Sequence, residues 1–289
     1  MSNFFMMAGL PGSGKTSYAI AHYNKKTDVL LDSDAMRAEL FGDETCQDNP
    51  SLVFSTMRDR AVAALNSGKN VWYVATNISS KRRLALLRDL QQHVKVPYTA
   101  TIIVMATTPD ECKRRNELRE RHVPNYVIDR MLTQFWPPMP NEPWDNIITI
   151  EDSDANVKAS YADVCERVDR FGGQNNPHHH YSLAQHMLEC AETFNTRYPQ
   201  YDDISAAAHF HDIGKIFTAT KWDKDNYTHY PNHNSVGAYY LMCWMPNHIE
   251  VAQLVAAHMI PFNQGWVSPY PEDFTNKLMA LHEADKAAS

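Results

Sequence analysis

Cysteine, glycine and basic charge are all scarce in this chain, and each shortage narrows what it is. The five cysteines, Cys46, Cys112, Cys165, Cys190 and Cys243, are odd in number and widely scattered, with no C-x-x-C pair. That spacing offers no disulfide framework and predicts a reducing, cytoplasmic environment. No apolar segment approaches the roughly 18 residues a membrane span needs. The N-terminal apolar stretch lacks a basic flank, so neither membrane insertion nor export is expected. Acidic residues outnumber basic ones, 34 to 27, for a net charge of −7. A globally basic surface is thereby excluded, and any nucleic-acid contact must come from local patches. Two such patches exist, Lys81-Arg82-Arg83 and Lys113, Arg114, Arg115, Arg119 and Arg121; each taken alone reads as a solvated helix face.

Glycine numbers ten in 289 residues, yet Gly9, Gly12 and Gly14 fall together. Residues Gly9 to Thr16 read GLPGSGKT, directly after the apolar run Phe4-Phe5-Met6-Met7-Ala8, which reads as a buried strand. A glycine-rich turn from strand into helix points backbone N–H groups at phosphate oxygens, and the helix N-terminus adds a favourable dipole. Gly9, Gly12, Ser13, Gly14, Lys15, Thr16 and Ser17 are therefore the expected contacts to ATP, with Lys15 on the β and γ phosphates and Thr16 on Mg²⁺.

Length and a 44% hydrophobic composition suit two modest domains. In the first half, short β-branched or aromatic runs (Val29–Leu31, Asn70–Ala75, Thr99–Met105, Ile147–Ile150) alternate with helical patterns over Lys15–Tyr23, Ser33–Phe41, Ser51–Ser67, Ser80–His93, Pro109–Arg119 and Pro124–Phe135. That alternation predicts an α/β domain with a parallel sheet covered by helices. A further helix over Ala155–Arg170 leads to Phe171-Gly172-Gly173-Gln174-Asn175-Asn176-Pro177, where the boundary is placed, dividing the chain into 1–171 and 177–289. Downstream, strand signals vanish; helices over Ser182–Phe194, Ile204–Ile213, His233–Met245, Ile249–Ala257 and Glu272–Ala287 predict an all-α domain.

The residues that choose a phosphate acceptor belong on the other strand-to-helix turns. Leu31-Asp32-Ser33-Asp34-Ala35-Met36-Arg37 sets a carboxylate and an arginine one helical turn apart at the carboxyl edge of the sheet. Ala75-Thr76-Asn77 follows the third strand, ahead of Lys81-Arg82-Arg83, and Arg115-Asn116-Glu117-Leu118-Arg119 precedes Val123-Pro124. Together these motifs, over residues 3 to 150, resemble the kinase module of phage polynucleotide 5′-kinases. The resemblance implies Asp34 as the base for a 5′-hydroxyl, Arg37 as a clamp on the acceptor's neighbouring phosphate, and Arg115 and Arg119 as lid arginines. The family tends to carry an Asp before the T-N pair, where this chain has Ala75. Read without the resemblance, Asp34 is also a first-turn carboxylate stabilised by the helix dipole.

Histidine is concentrated in the second half, with His186, His211-Asp212, His233, His258 and Asp285 on successive predicted helices. The order H…HD…H…H…D resembles the HD phosphohydrolase superfamily. The wording around it, including Gln185-His186-Met187-Leu188 and His211-Asp212-Ile213-Gly214-Lys215, is most similar to the HD module of bacterial CCA-adding tRNA nucleotidyltransferases. Imidazole with carboxylate suits divalent transition metals such as Mn²⁺, Ni²⁺ or Co²⁺, and one bridging carboxylate can hold two ions. Asp212 is the expected bridge, with His186, His211 and Asp285 on one side and His233 and His258 on the other. Lys215 is expected to meet a substrate phosphate as a point charge. His209, His229, His248 and His282 carry no comparable signal, and His180 reads as surface.

The two resemblances imply paired activities on RNA or DNA ends: a 5′-hydroxyl kinase and a 2′,3′-cyclic phosphodiesterase with 3′-phosphatase activity, preparing ends for an RNA ligase. The alternative is a nucleoside or nucleotide kinase fused to an HD nucleotidase; a third is an HD half that only senses or binds partners.

Overall fold

Alternating apolar runs and amphipathic helices fold as their periodicity dictates in the computed structural model, described for residues 1–175, 181–221 and 226–289. Asn176, Pro177, His178, His179 and His180 lie outside the described residues, so the expectation for His180 is not addressed.

The first unit comprises Met1–Pro124 and Glu142–Glu151. Its sheet contains β1 (Ser2–Ala8), β2 (Asp28–Asp32), β3 (Asn70–Val74), β4 (Tyr98–Ala106) and β5 (Asn146–Glu151), in the order β2-β3-β1-β4-β5. Every pairing is parallel, with Phe4 opposite Val71 on one side and Ala100 on the other. A central strand paired on both edges must be apolar on both faces, and Phe4, Met6 and Met7 are almost completely buried. The helices are α1 (Lys15–His22), α2 (Ser33–Phe41), α3 (Pro50–Asn66), α4 (Ser80–His93) and α5 (Pro109–Glu117). The starts of α2 and α3 follow capping chemistry: Asp32 accepts from the Asp34 and Ala35 amides, and Asn49 accepts from the Leu52 amide. The carboxyl ends of the parallel strands form the crevice where an open α/β sheet binds ligands.

The second unit comprises Asn125–Asn141 and Asp152–Ser289. It contains α6 (Asn125–Thr133), α7 (Asp154–Phe171), α8 (Leu183–Arg197), α9 (Ser205–Phe210), α10 (Lys215–Thr218), α11 (His233–Trp244), α12 (Ile249–Ala257) and α13 (Glu272–Ala287). Two features depart from an all-α segment beginning at residue 177. First, α6 and α7 pack with this unit: Phe135, after α6, meets Tyr239 of α11 edge-on at 4.8 Å, and Trp244 donates to Ser160 of α7 at 3.3 Å. The buried apolar faces of α6 (Ile128, Leu132) and α7 (Val164, Val168) require covering surface, and this unit supplies it. Second, β6 (Thr220–Lys221) pairs antiparallel with β7 (Thr228–His229). Two-residue strands are too short for period-two alternation to announce them.

Among the described residues no helix is long and apolar enough to cross a membrane.

Candidate functional site

The first constellation forms where β1 turns into α1. Gly9, Gly12 and Gly14 adopt φ of +147°, +81° and +92°. At Gly12 the requirement is also steric, because a Cβ there would sit 2.1 Å from the Cys112 carbonyl oxygen. The Lys15 ammonium folds back over the loop, donating to the Leu10 carbonyl at 2.7 Å and to Ser13 Oγ at 3.3 Å. Burial lowers its pKa to about 8, and Arg119 adds to that lowering. A buried ammonium held by neutral oxygens is poised to exchange them for phosphate oxygens.

Asp32, at the end of β2, joins this loop to the acceptor turn. Its Oδ2 accepts from Thr16 Oγ1 at 3.1 Å, while its Oδ1 accepts from the Asp34 amide at 2.8 Å. Thr16 and Asp32 thus offer paired oxygens of the kind that suit Mg²⁺. Asp34 Oδ1 accepts from Arg37 Nη1 at 2.8 Å, and the same nitrogen donates to the Ser33 carbonyl at 3.1 Å. Ser17 is exposed in the first turn of α1.

On the lid side, α5 ends at Glu117, two residues short of the expected end, so Arg119 lies in the following turn rather than on the helix face of Arg115. The cause is Asn116, whose buried amide both donates to and accepts from the Val123 backbone and closes the segment between them. Glu111 pairs with Arg114 and Arg115, which bring its carboxyl down to about 2. Arg115 also reaches the loop: its Nη1 lies 3.9 Å from where a Gly14 Cβ would be. Arg121, expected to be solvated, instead pairs with Glu44 at 3.0 Å and Asp34 at 3.6 Å.

The expectation of a solvated Lys81-Arg82-Arg83 face fails at Arg83. Its guanidinium is 1% exposed, donates to both oxygens of Glu142, at 2.8 and 2.6 Å, and to the Asn77 carbonyl at 2.9 Å. Asn77 in turn donates to the Met7 carbonyl at 2.7 Å and has a φ of +46°, so the network fixes the T-N turn against β1.

The second constellation is buried in the helical unit. His186 comes from α8, His211 and Asp212 from the turn after α9, His233 from the first position of α11, His258 from the end of α12, and Asp285 from α13. Gly214 lets the His211-Asp212 turn approach α11, since a Cβ there would lie 2.0 Å from the His233 carbonyl oxygen. His186, His211 and Asp285 converge as one potential ligand group, and Asp212, His233 and His258 as another. Asp212 spans both: Oδ2 lies 3.2 Å from His186 Nε2 and 3.4 Å from His211 Nε2, while Oδ1 lies 3.1 Å from His233 Nε2 and 3.7 Å from His258 Nε2.

All four rings use Nδ1 on a backbone carbonyl: His186 on Ala288, His211 on Ala208, His233 on Tyr230 and His258 on Val255, at 2.7–3.2 Å. A carbonyl only accepts, so Nδ1 carries the hydrogen and the neutral ring offers a lone pair at Nε2. Those lone pairs face each other, His186 to His211 at 3.1 Å and His233 to His258 at 3.2 Å. Facing lone pairs repel unless a cation lies among them, and the residues present therefore fit divalent metal. Burial pushes the Asp212 carboxyl up, but the charge of the neighbouring Lys215 ammonium outweighs it and holds Asp212 well below the usual range. Lys215 lies buried on Asp212 Oδ2 at 2.6 Å and also donates to Gln174 at 2.9 Å.

Two family models match along the sequence: one described as an AAA domain over residues 4–138, and one described as an HD domain over residues 178–289. The chain joins an AAA P-loop kinase domain to an HD domain. The AAA domain implies nucleotide with Mg²⁺, and the HD domain implies a divalent metal. No curated protein matches the chain. Solved structures that resemble parts of it include two described as a Pnkp1/Rnl/Hen1 complex, the second of them as an RNA repair complex. The first is 22% identical with a TM-score of 0.33, covering 43% of this chain and 41% of that one. The second is 23% identical with a TM-score of 0.38, covering 46% and 43%. The chain thus spans about two fifths of the length of these structures. A third, a Chloroflexus aurantiacus J-10-fl protein provisionally described as a kinase, is 16% identical with a TM-score of 0.43, over 57% of this chain and 96% of that one.

Residues that sequence reasoning did not single out are Asp32 as the link between Thr16 and Asp34, Asn116 as the closure of the lid segment, and Arg83 with Glu142 behind the T-N turn. The first had a usable signal, a carboxylate at the end of β2 and at the N-cap of α2.

Proposed function

We propose that this chain heals RNA ends: its AAA domain transfers the γ-phosphoryl of ATP to a 5′-hydroxyl, and its HD domain hydrolyses a 2′,3′-cyclic phosphate and removes the resulting 3′-phosphate. The observation that carries the kinase reading is the double role of Asp32, which binds the Thr16 hydroxyl with one oxygen and the Asp34 amide with the other. A base is thereby tied to the phosphate loop at the sheet edge where an acceptor would enter. Asp34 takes the 5′-hydroxyl proton, Arg37 steadies that carboxylate and clamps the acceptor's neighbouring phosphate, and Lys15, Arg115 and Arg119 supply positive charge where negative charge spreads over the transferring phosphoryl group. Phosphoryl transfer asks mainly for such positioning, with little covalent chemistry from the protein.

In the HD domain, the metal ions fitting the two groups, Mn²⁺, Ni²⁺ or Co²⁺, supply Lewis acidity and a nucleophile derived from water. His186, His211 and Asp285 would hold one ion, His233 and His258 the other, with Asp212 between them. The four backbone carbonyls keep the imidazoles in the metal-binding tautomer, and Lys215, seated on Asp212 Oδ2, orients that carboxylate and would meet a substrate phosphate as a point charge. The products, a 5′-phosphate and a 3′-hydroxyl, are the ends an RNA ligase consumes.

An acceptor series tests the reading: 5′-hydroxyl RNA and DNA oligonucleotides of decreasing length, ending in a free nucleoside, offered with ATP and Mg²⁺. Loss of phosphorylation as the acceptor shrinks to a nucleoside is expected. Phosphorylation of nucleosides with none of oligonucleotides would assign the chain to small-molecule metabolism instead.

A further inference from the structure

Gly172-Gly173-Gln174-Asn175 reads as linker by composition, yet Gln174 is 2% exposed and its side chain ends beside the second constellation. Backbone contacts on both sides hold it there. The Leu183 amide at the start of α8 donates to the Gly172 carbonyl at 3.2 Å, and the Thr228 amide of β7 donates to the Asn175 carbonyl at 3.1 Å. Between them, the Tyr230 hydroxyl donates to the Gln174 carbonyl at 2.7 Å, while the carbonyl of Tyr230 accepts from His233 Nδ1 at 2.8 Å. One residue thus fixes both Gln174 and a candidate metal ligand. The Gln174 side chain is fixed by Lys215, whose ammonium lies 2.6 Å from Asp212 Oδ2 and donates to Gln174 Oε1 at 2.9 Å. An ammonium only donates, so the amide atom facing Lys215 is the oxygen. The amide nitrogen, Nε2, is buried with two hydrogens to donate and no hydrogen-bond partner among the described residues. A buried donor left unpaired destabilises the free protein, so its retention calls for an acceptor that arrives from outside.

We infer that Gln174 is a phosphate-binding residue of the HD domain: Nε2 donates to a non-bridging oxygen of the RNA's 3′-terminal phosphate, and Oε1 steers Lys215 toward the same group. The inference rests on the hydrolase reading and deepens it, by adding to the site a residue from outside the H…HD…H…H…D order. The chemistry separates this role from a merely structural one. Holding an ammonium needs only an acceptor, and a carboxylate would hold it more tightly through a charge-assisted hydrogen bond. A carboxylate would also place a negative charge where the phosphate must sit. An amide holds Lys215 without that charge and keeps a donor for the anion. Phosphate oxygens only accept, so the neutral N–H and the ammonium beside it can both be satisfied by one group.

The test titrates inorganic phosphate by calorimetry into the full chain loaded with Mn²⁺, comparing the unaltered protein with Gln174→Met, Gln174→Glu, Lys215→Ala and the Gln174→Met, Lys215→Ala pair. Gln174→Met should weaken phosphate binding by about ten- to hundredfold, the range for a hydrogen bond to a charged acceptor. The loss should recur in the Lys215→Ala background, because Nε2 reaches the phosphate in its own right. Gln174→Glu keeps an acceptor on Lys215, so its fold does not depend on replacing that contact, and it too should lose phosphate affinity. With RNA ending in a 2′,3′-cyclic phosphate, the Gln174→Met loss should appear mainly in KM. Phosphate affinity unchanged in Gln174→Met or Gln174→Glu would overturn the inference, as would absence of phosphate binding by the unaltered loaded chain. A loss that vanishes once Lys215 is alanine would also overturn it, leaving Gln174 a positioning residue for that ammonium. The hydrolase reading fails separately: phosphate binding that depends on Gln174, with no phosphoester hydrolysed, would sink that reading and leave the binding role standing.

Discussion

The Nε2 atoms of His186 and His211 lie 3.1 Å apart, while each ring's Nδ1 is already committed to a backbone carbonyl. Such a pair suits a divalent cation, and Asp285 Oδ1 lies 3.2 and 3.4 Å from the same two atoms. Divalent metal should therefore stabilise the HD domain. At a free concentration a hundredfold above Kd the gain is about 2.7 kcal/mol, or roughly 5–10 °C in the melting temperature. Thermal unfolding after chelation, with and without added Mn²⁺, Ni²⁺ or Co²⁺, measures this; a melting temperature indifferent to all three would remove metal from the account.

Lys15 gives a pH-dependent prediction. Its pKa in the unliganded loop is lowered to about 8 by burial, and phosphate charge must raise it again. ATP binding should therefore take up a proton at and above pH 8 and none near pH 6.5, with affinity falling toward tenfold per unit as pH rises past about 8. Calorimetry in buffers of different ionisation enthalpy counts the proton; no buffer dependence at pH 8.5 would mean the ammonium stays charged throughout.

Arg83 and Glu142 are both essentially unexposed, so truncating either strands a buried charge. Glu142→Ala should destabilise the AAA domain by about 3–5 kcal/mol in denaturant unfolding. A paired apolar replacement, Arg83→Met with Glu142→Leu, should regain most of that stability while still impairing phosphorylation, because the Asn77 carbonyl loses the guanidinium that donates to it. Full activity in the paired variant would leave the ion pair a purely structural element.

How far these sites were legible depended on whether the signal was local. The phosphate loop, the turn from Asp32 to Arg37 and the H…HD…H…H…D order each depend on short spacings or residue type, and the structure brings those residues together. Helices over Ser33–Phe41 and Ser80–His93 have the expected bounds because the Asp32 cap of the first and the apolar periodicity of both sit in the same stretch of chain. Arg83 was misplaced because its burial depends on Glu142, 59 positions away, which no local pattern announces. The early end of α5 follows from Asn116 bonding Val123 across the lid, again outside the helix. The membership of α6 and α7 in the second unit is a packing decision made by Phe135, Tyr239 and Trp244, invisible to a boundary drawn from Gly172, Gly173 and Pro177.

That packing makes its own prediction. A fragment beginning at residue 177 lacks α6 and α7 and exposes the surfaces that receive Phe135 and Val164, whereas the full chain keeps them covered. The fragment should unfold at lower denaturant concentration than the HD domain within the full chain. Equal midpoints would show that the two helices add nothing to its stability.

The residues proposed for the two reactions lie in separate units, so their losses should separate. Lys15→Ala or Asp34→Ala should abolish phosphorylation and spare phosphoester hydrolysis, and Asp212→Ala should do the reverse; joint loss from any one of them would mean coupled rather than independent chemistry.

The measurement that bears most directly on end healing uses one RNA carrying a 5′-hydroxyl and a 2′,3′-cyclic phosphate. It is incubated with the full chain, ATP, Mg²⁺ and either Mn²⁺ or Ni²⁺, and both termini are resolved by mass. The account predicts gain of a 5′-phosphate together with conversion of the cyclic end to a hydroxyl. An RNA left untouched at both ends, while ATP is consumed once nucleosides are supplied, would contradict it.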